Sequence, residues 1–181
     1  MVVVLGGSRG ARSINEALWA GLSQLLPATQ VIHLTGQLDF SRAVDVRGRL
    51  AAEGKTRYFP VAYLHEEMAS AYAAADLAIG RAGASALGEL PLFALPSILV
   101  PYPHAWRYQH VNADYLARRG AAVIVSDERV GSDLVATALT LLSDPGRLAA
   151  MSTAARRQAS PEAAGRIADL LQDQAQAGAA A

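Results

Sequence analysis

A chain of 181 residues, 52% hydrophobic and 18% charged, is long enough for one domain with a sizeable core. Its 16 Lys and Arg balance its 16 Asp and Glu, so it carries no basic footprint for nucleic acid; the lack of Cys excludes disulfides, cysteine catalysis and thiolate metal sites. No basic segment precedes the apolar start MVVVLGG, and the apolar run over 90–102 is cut by Pro91, Pro96 and Pro101, well short of the ~20 residues a membrane span needs. The default expectation is a soluble protein of the cytoplasm.

Val2 to Leu5 is a continuous apolar run, the pattern of a strand buried on both faces of a parallel sheet. The turn GGSRGAR follows, then a helix over 13–26 with Ile14, Ala17, Leu18, Leu22 and Leu25 on one face, closed by Pro27. Residues 31–34 read as a second strand ending in Thr35-Gly36, 38–52 as a polar helix, and 57–59 as a third strand stopped by Pro60. A helix over 65–75 precedes a fourth strand, 77–79. The small-residue turn 80–85 then leads into a helix over 85–93, with Ser85 as its cap. The fifth strand is 97–100, followed by the loop PYPHAWRYQH and a helix over 107–119 that Gly120 ends at the C′ position. A sixth strand, 121–125, precedes helices over 131–142, 146–160 and 161–174, whose joins are Asp144-Pro145 and Ser160-Pro161. The expectation is a single domain over 1–174 and a frayed alanine-rich tail over 175–181. Strands alternating with helices mean an α/β fold, a parallel six-stranded sheet with helices on both faces. Ligands bind such sheets at the carboxyl ends of the strands.

Three strand-to-helix turns carry chemistry. In GGSRGA, Gly6, Gly7, Ser8 and Gly10 would expose backbone N–H groups and a hydroxyl that suit a phosphate. The turn is neither a P-loop, since no Gly-Lys-Ser/Thr completes it, nor a GxGxxG; taken alone it also reads as a tight turn without a ligand. The second strand ends in Leu34-Thr35-Gly36 and not in an acidic residue, which argues against NAD. In DLAIGRAGASALGE, over 76–89, a strand feeds a Gly/Ala turn and a helix start at Ala84 and Ser85, where free N–H groups would meet a phosphate. Glu89, one turn on, would accept hydrogen bonds from sugar hydroxyls; the plain alternative is a βα turn whose alanines only pack. In PYPHAWRYQHVNA, Gln109 and Asn112 stand three apart, on one helix face, and carboxamides both donate to and accept from hydroxyls. Asn112 also reads as a buried structural amide, while Trp106 and Tyr108 either stack on a ring or shield the loop. His33, His65, His104 and His110 form no HxxxH or HExxH spacing, and no Asp-x-Asp pair is present to hold a divalent cation. Together the three turns predict one crevice for a nucleoside diphosphate-sugar.

The segments GGSRGARSIN, HLTG, EEMASAYAAADLAIGRAGASALGE, LPSILVPYPHA, QHVNA and GAAVIV resemble the carboxy-terminal domain of the MurG family, in order, over about 2–170. That family is the peptidoglycan N-acetylglucosaminyltransferase, of the two-domain GT-B fold, so the resemblance implies a Rossmann-like carboxy-terminal half that binds the donor UDP-GlcNAc. The acceptor, lipid I, and the general base belong to the amino-terminal half, so no catalytic residue is expected in this chain, and no metal or other cofactor. By motif, Gly7, Ser8 and Arg9 would meet the diphosphate and Leu64 or His65 the uracil. Ala84, Ser85, Ala86, Leu87 and Gly88 would form the helix start under the phosphates. Glu89 would hold the ribose, and Gln109 with Asn112 the GlcNAc. The sequence departs from the family in four places: Ala86 replaces a Thr, Tyr108 replaces a His, 63–67 is one residue longer, and the Gly expected in PLFALP is missing. The resemblance implies weak or no donor binding and no turnover by this chain alone, no membrane contact through it, and a peripheral cytoplasmic-face location for the whole enzyme. A UDP-GlcNAc epimerase and a non-catalytic UDP-sugar-binding domain share the architecture.

Overall fold

Alternate residues of each strand go to opposite faces of a sheet, so a strand of uninterrupted valines and leucines must have apolar partners above and below. A computed structural model, which describes residues 1–7, 9–104 and 107–179, shows this arrangement. Among the described residues the strands are β1 (Val2–Leu5), β2 (Val31–Leu34), β3 (Tyr58–Val61), β4 (Leu77–Gly80), β5 (Ser97–Leu99) and β6 (Ala122–Ile124). They pair in parallel in the order β3-β2-β1-β4-β5-β6. The helices are α1 (Arg12–Leu25), α2 (Phe40–Arg49), α3 (Ala52–Lys55), α4 (Met68–Ala74), α5 (Ala84–Leu92), α6 (Tyr108–Ala117), α7 (Val130–Leu142), α8 (Pro145–Arg156) and α9 (Ala163–Ala179). Val2, Val4 and Ile79 pack against α1 and α7 through Leu18, Leu22 and Leu134. Val3, Ala78 and Leu99 pack on the other face with Tyr72, Leu90 and Leu116. The doubly covered Rossmann-like sheet expected from the sequence is therefore the fold.

Several boundaries differ from the sequence reading. β3 runs through Pro60 to Val61 instead of stopping at the proline, because β3 is an edge strand, where a missing N–H costs no ladder bond. The polar stretch 38–52 divides into α2 and the short α3, with Leu50 extended between them at φ −67°, ψ 153°. α4 begins only at Met68, so the whole of 62–67 is loop. Helix α5 starts at Ala84 behind an extended Gly83; Ser85 is the second helical residue and not the cap. A 3₁₀ turn, Asp127–Arg129, precedes α7. Asp144 caps α8 by accepting the Arg147 N–H at 2.9 Å. The alanine-rich end is helical to Ala179.

A chain of buried polar bonds ties β2, β3 and α1 together. Trp19 Nε1–H donates to the Tyr58 hydroxyl at 2.9 Å, and that hydroxyl lies 2.8 Å from His33 Nδ1. His33 Nε2 lies 2.9 Å from Asn15 Oδ1, while Asn15 Nδ2 donates to Asp39 at 2.8 Å and to the Thr35 carbonyl at 3.0 Å. Asn15 therefore presents an acceptor to the imidazole, so Nε2 carries the proton and Nδ1 accepts from Tyr58. The donors all run one way, which fixes His33 as a neutral ring; burial pushes its pKa down to about 3.

Candidate functional site

The strand order reverses direction between β1 and β4, the place where connections leave to opposite faces and a crevice opens at the carboxyl ends of the strands. A crevice of about 660 Å³ lies there, its floor formed by Leu5, Gly6 and Gly7 at the end of β1 and by Ser85 and Ala86 at the start of α5. Its volume is in the range that suits a nucleotide-sized ligand. Leu64 and His65 in the loop after β3 form one wall, where His65 meets Tyr63 edge-on at 4.8 Å. Tyr72 and Glu89 close the side.

The loops that shape this floor require glycine. Gly10 and Gly36 have φ of +92° and +77°, a region that only glycine occupies without strain. They also touch: a Cβ at Gly10 would stand 2.5 Å from the Thr35 carbonyl, and one at Gly36 would strike the Gly10 backbone. The loops after β1 and β2 are thus pressed together without side chains between them.

At the start of α5, Ala86 N–H donates to the Gly83 carbonyl at 3.1 Å. The N–H groups of Ala84 and Ser85 have no carbonyl above them within the helix, and no side chain caps it. Ser85 is exposed in the crevice and Ala86 is buried at its floor. Leu87 packs partly buried into the core behind, while Gly88 is exposed with open space where a Cβ would be. Glu89 Oε2 accepts the Tyr72 hydroxyl at 2.7 Å. Burial, with the Glu89 carboxylate beside it, pushes the Tyr72 phenol above the ordinary tyrosine range.

Of the residues singled out in the sequence, Gly7, Leu64, His65, Ser85, Ala86 and Glu89 come together in this crevice. Arg9 is exposed outside it. Ser8 and Trp106 lie outside the described residues. Gln109 and Asn112 do not join the crevice. Buried Gln109 accepts the Tyr102 N–H through Oε1 at 2.9 Å and lines a neighbouring hollow of about 610 Å³ with Ser13, Tyr102 and His104. Asn112 Nδ2 donates to the Ala82 carbonyl at 2.9 Å, bracing the β4–α5 turn from α6. The single crevice expected from the three turns is thus two hollows, because α6 stands beyond the β4–α5 turn and not over β1.

Arg81 separates and lines both hollows, and sequence reasoning passed over it. Its guanidinium donates to Asp127 at 2.5 Å and to the Ser13 hydroxyl at 2.9 Å, and Ser13 donates to the same Asp127 oxygen at 2.7 Å. It also donates to the Val100 carbonyl at 3.2 Å and lies 5.1 Å from the Tyr102 ring. The signal that could have found it is a lone long cation inside an otherwise small-residue turn, GRAGAS. Among the described residues, no group of three or more His, Asp or Glu is placed to hold a metal ion, and no helix is long and apolar enough to cross a membrane.

Comparison with known proteins agrees with this geometry. Residues 1–167 match the glycosyltransferase family 28 C-terminal domain. The chain is 41% identical over 191 residues to the UDP-N-acetylglucosamine--N-acetylmuramyl-(pentapeptide) pyrophosphoryl-undecaprenol N-acetylglucosamine transferase of Roseiflexus sp. (strain RS-1), covering 94% of this chain and 43% of that protein. It is 43% identical over 178 residues to the transferase of the same name from Solidesulfovibrio magneticus, covering 94% of this chain and 48% of that one. The crystal structure of Acinetobacter baumannii MurG superposes with a TM-score of 0.80 at 31% identity, covering 95% of this chain and 49% of the other. The crystal structure of UDP-GlcNAc 2-epimerase from Neisseria meningitidis superposes at a TM-score of 0.61 with 12% identity, a likeness of fold alone. The chain spans about half the length of the curated relatives it matches. A doubly wound sheet, a crevice at its switch point and this match over most of the sequence place the chain in the glycosyltransferase family 28 C-terminal domain family.

Proposed function

We propose that this chain is the donor-binding half of an inverting N-acetylglucosaminyltransferase that converts lipid I to lipid II, using UDP-GlcNAc. One observation carries the reading: the uncapped first turn of α5 and the carboxylate of Glu89 share one crevice over the end of β1. The N–H groups of Ala84 and Ser85, with Gly7 and Ser8 of the β1–α1 turn, receive the diphosphate; Arg9, exposed outside the crevice, is given no contact. Leu64 or His65 meets the uracil, Ala86 and Gly88 let the phosphates approach closely while Leu87 anchors the turn in the core behind, and Glu89 accepts from the ribose. Gln109, with its Oε1 held by Tyr102, keeps Nε2 to donate to the GlcNAc; Asn112 serves that subsite by bracing the turn. In the transfer, the bond from the sugar's anomeric carbon to the β-phosphate oxygen breaks and UDP leaves. The acceptor hydroxyl forms the new bond from the opposite face and gives its proton to a base in the other half. Charge growing on the departing diphosphate is met by fixed N–H dipoles, a task this reading does not give to a metal.

The relatives are about twice as long and their names describe a lipid-linked acceptor, which supports reading the acceptor site and base as belonging to a partner half. A lipid-linked acceptor together with a nucleotide-sugar donor supports reading the complete enzyme as peripheral on the cytoplasmic face of the membrane. Titration of the chain with UDP-GlcNAc, UDP-glucose and UDP by protein NMR is expected to show weak binding that shifts the amides of Gly7, Ser85 and Glu89, without turnover. Replacing Glu89→Ala should weaken UDP roughly tenfold, the scale of hydroxyl bonds to a carboxylate. Unchanged UDP affinity in that variant, or transferase activity from this chain alone, would overturn the assignment.

A further inference from the structure

We infer that Tyr72 is a positioning residue of the donor crevice, holding Glu89 so that its carboxylate receives the ribose hydroxyls; the inference rests on the donor-site reading above. Tyr72 belongs to α4 and Glu89 to α5, so the bond between them joins two consecutive βα units across the crevice wall. The phenol ring is fixed by burial, with 5% of its surface exposed, and lies 5.3 Å from the Phe93 ring. A carboxylate only accepts, so the hydroxyl donates to Glu89 Oε2 across 2.7 Å. Glu89 itself is exposed and unbranched, a side chain that loses rotamer freedom whenever a ligand orders it. Pinning one carboxylate oxygen to a rigid ring removes that loss before the ligand arrives. It leaves Oε1 and one lone pair of Oε2 for two neighbouring hydroxyls, the number a ribose presents. The raised pKa of Tyr72 keeps it a donor throughout the pH range of ordinary handling.

A bond that only tied α4 to α5 would alter stability and would be indifferent to the ligand's hydroxyls. The test therefore compares UDP with 2′,3′-dideoxy-UDP, which lacks both ribose hydroxyls, by NMR titration or calorimetry, in the unmodified chain, in Tyr72→Phe, in Glu89→Ala and in the double variant. Tyr72→Phe removes one oxygen and leaves the buried ring in place. The unmodified chain should prefer UDP. Tyr72→Phe should reduce that preference about threefold or more while leaving 2′,3′-dideoxy-UDP affinity within about twofold. In the Glu89→Ala background Tyr72→Phe should change the preference no further. An unchanged preference in Tyr72→Phe, or equal weakening of both nucleotides, overturns the positioning role and leaves the donor site standing. A preference that survives Glu89→Ala, or no binding of UDP at all, overturns the donor-site reading and this inference with it.

Discussion

Arg81 shows how a residue of the site hides in a sequence. Its polar partners, Ser13, Asp127 and the Val100 and Pro101 carbonyls, come from three other segments, the most distant 68 residues away along the chain. The guanidinium and the Asp127 carboxylate are 17% and 22% exposed, so water replaces little of what the pair loses when one member goes. Asp127→Ala should therefore destabilise the chain by about 2 kcal/mol, measured as a lower urea midpoint at unchanged slope; a loss within error of zero would show the pair to be dispensable. Glu89 and Ser85 were legible because strand, turn and helix start follow one another within 76–89. Asn112 was not, since its choice between sugar and backbone is made by Ala82, 30 residues earlier. Local order along the chain reveals backbone donors at a helix start. It is silent about side chains whose partners arrive by tertiary packing.

At the scale of elements, the sheet was readable because burial on both faces writes a mainly apolar run into the inner strands, with His33 in β2 and Ser97 in β5 as the polar members. Boundaries were misplaced where a tertiary circumstance overrode a local signal: Pro60 is harmless at an edge, and Ser85 gave up the cap position to Gly83. The end of α5 shows the converse. Ala94 N–H donates to the Pro91 carbonyl and Leu95 N–H to the Leu90 carbonyl, each at 2.9 Å, the paired bonds of a Schellman ending. That ending needs a left-handed residue, and Ala94 supplies it at φ +51°. It lies in PLFALP, where the family resemblance noted in the sequence leads one to expect glycine. Relief of the Cβ strain exceeds the extra freedom that glycine gives the unfolded chain, so Ala94→Gly should stabilise by about 0.5–1 kcal/mol. A variant less stable than the parent in urea unfolding would show that the strain is not there.

For the molecule as a whole, the buried line from Trp19 to Asp39 makes stability depend on pH. His33 is held near 3 in the folded chain and titrates near 6.5 when unfolded. Between those values the unfolded chain binds a proton that the folded chain refuses. The contribution of this residue is full above pH 6.5 and is lost as pH falls toward 3, at up to ~1.4 kcal/mol per pH unit. Urea midpoints between pH 8 and 5 should fall along with this loss, and ring ¹⁵N shifts should show His33 neutral in the folded chain at pH 5. A folded-state His33 that protonates near pH 6.5 would remove the argument. The same line joins α1 to β2 and β3 directly beneath the loops where Gly10 and Gly36 meet.

On the proposed donor reading, the first turn of α5 offers a ligand main chain and almost nothing else: Ala84, Ser85, Ala86 and, one turn on, Gly88. An alanine scan can delete nothing there but one hydroxyl, so loss-of-side-chain genetics will read the centre of the crevice as inert. Only substitutions that add bulk, or chemistry that removes an amide hydrogen, can make those positions speak. The residues at its rim, by contrast, will look more important than their share of the binding.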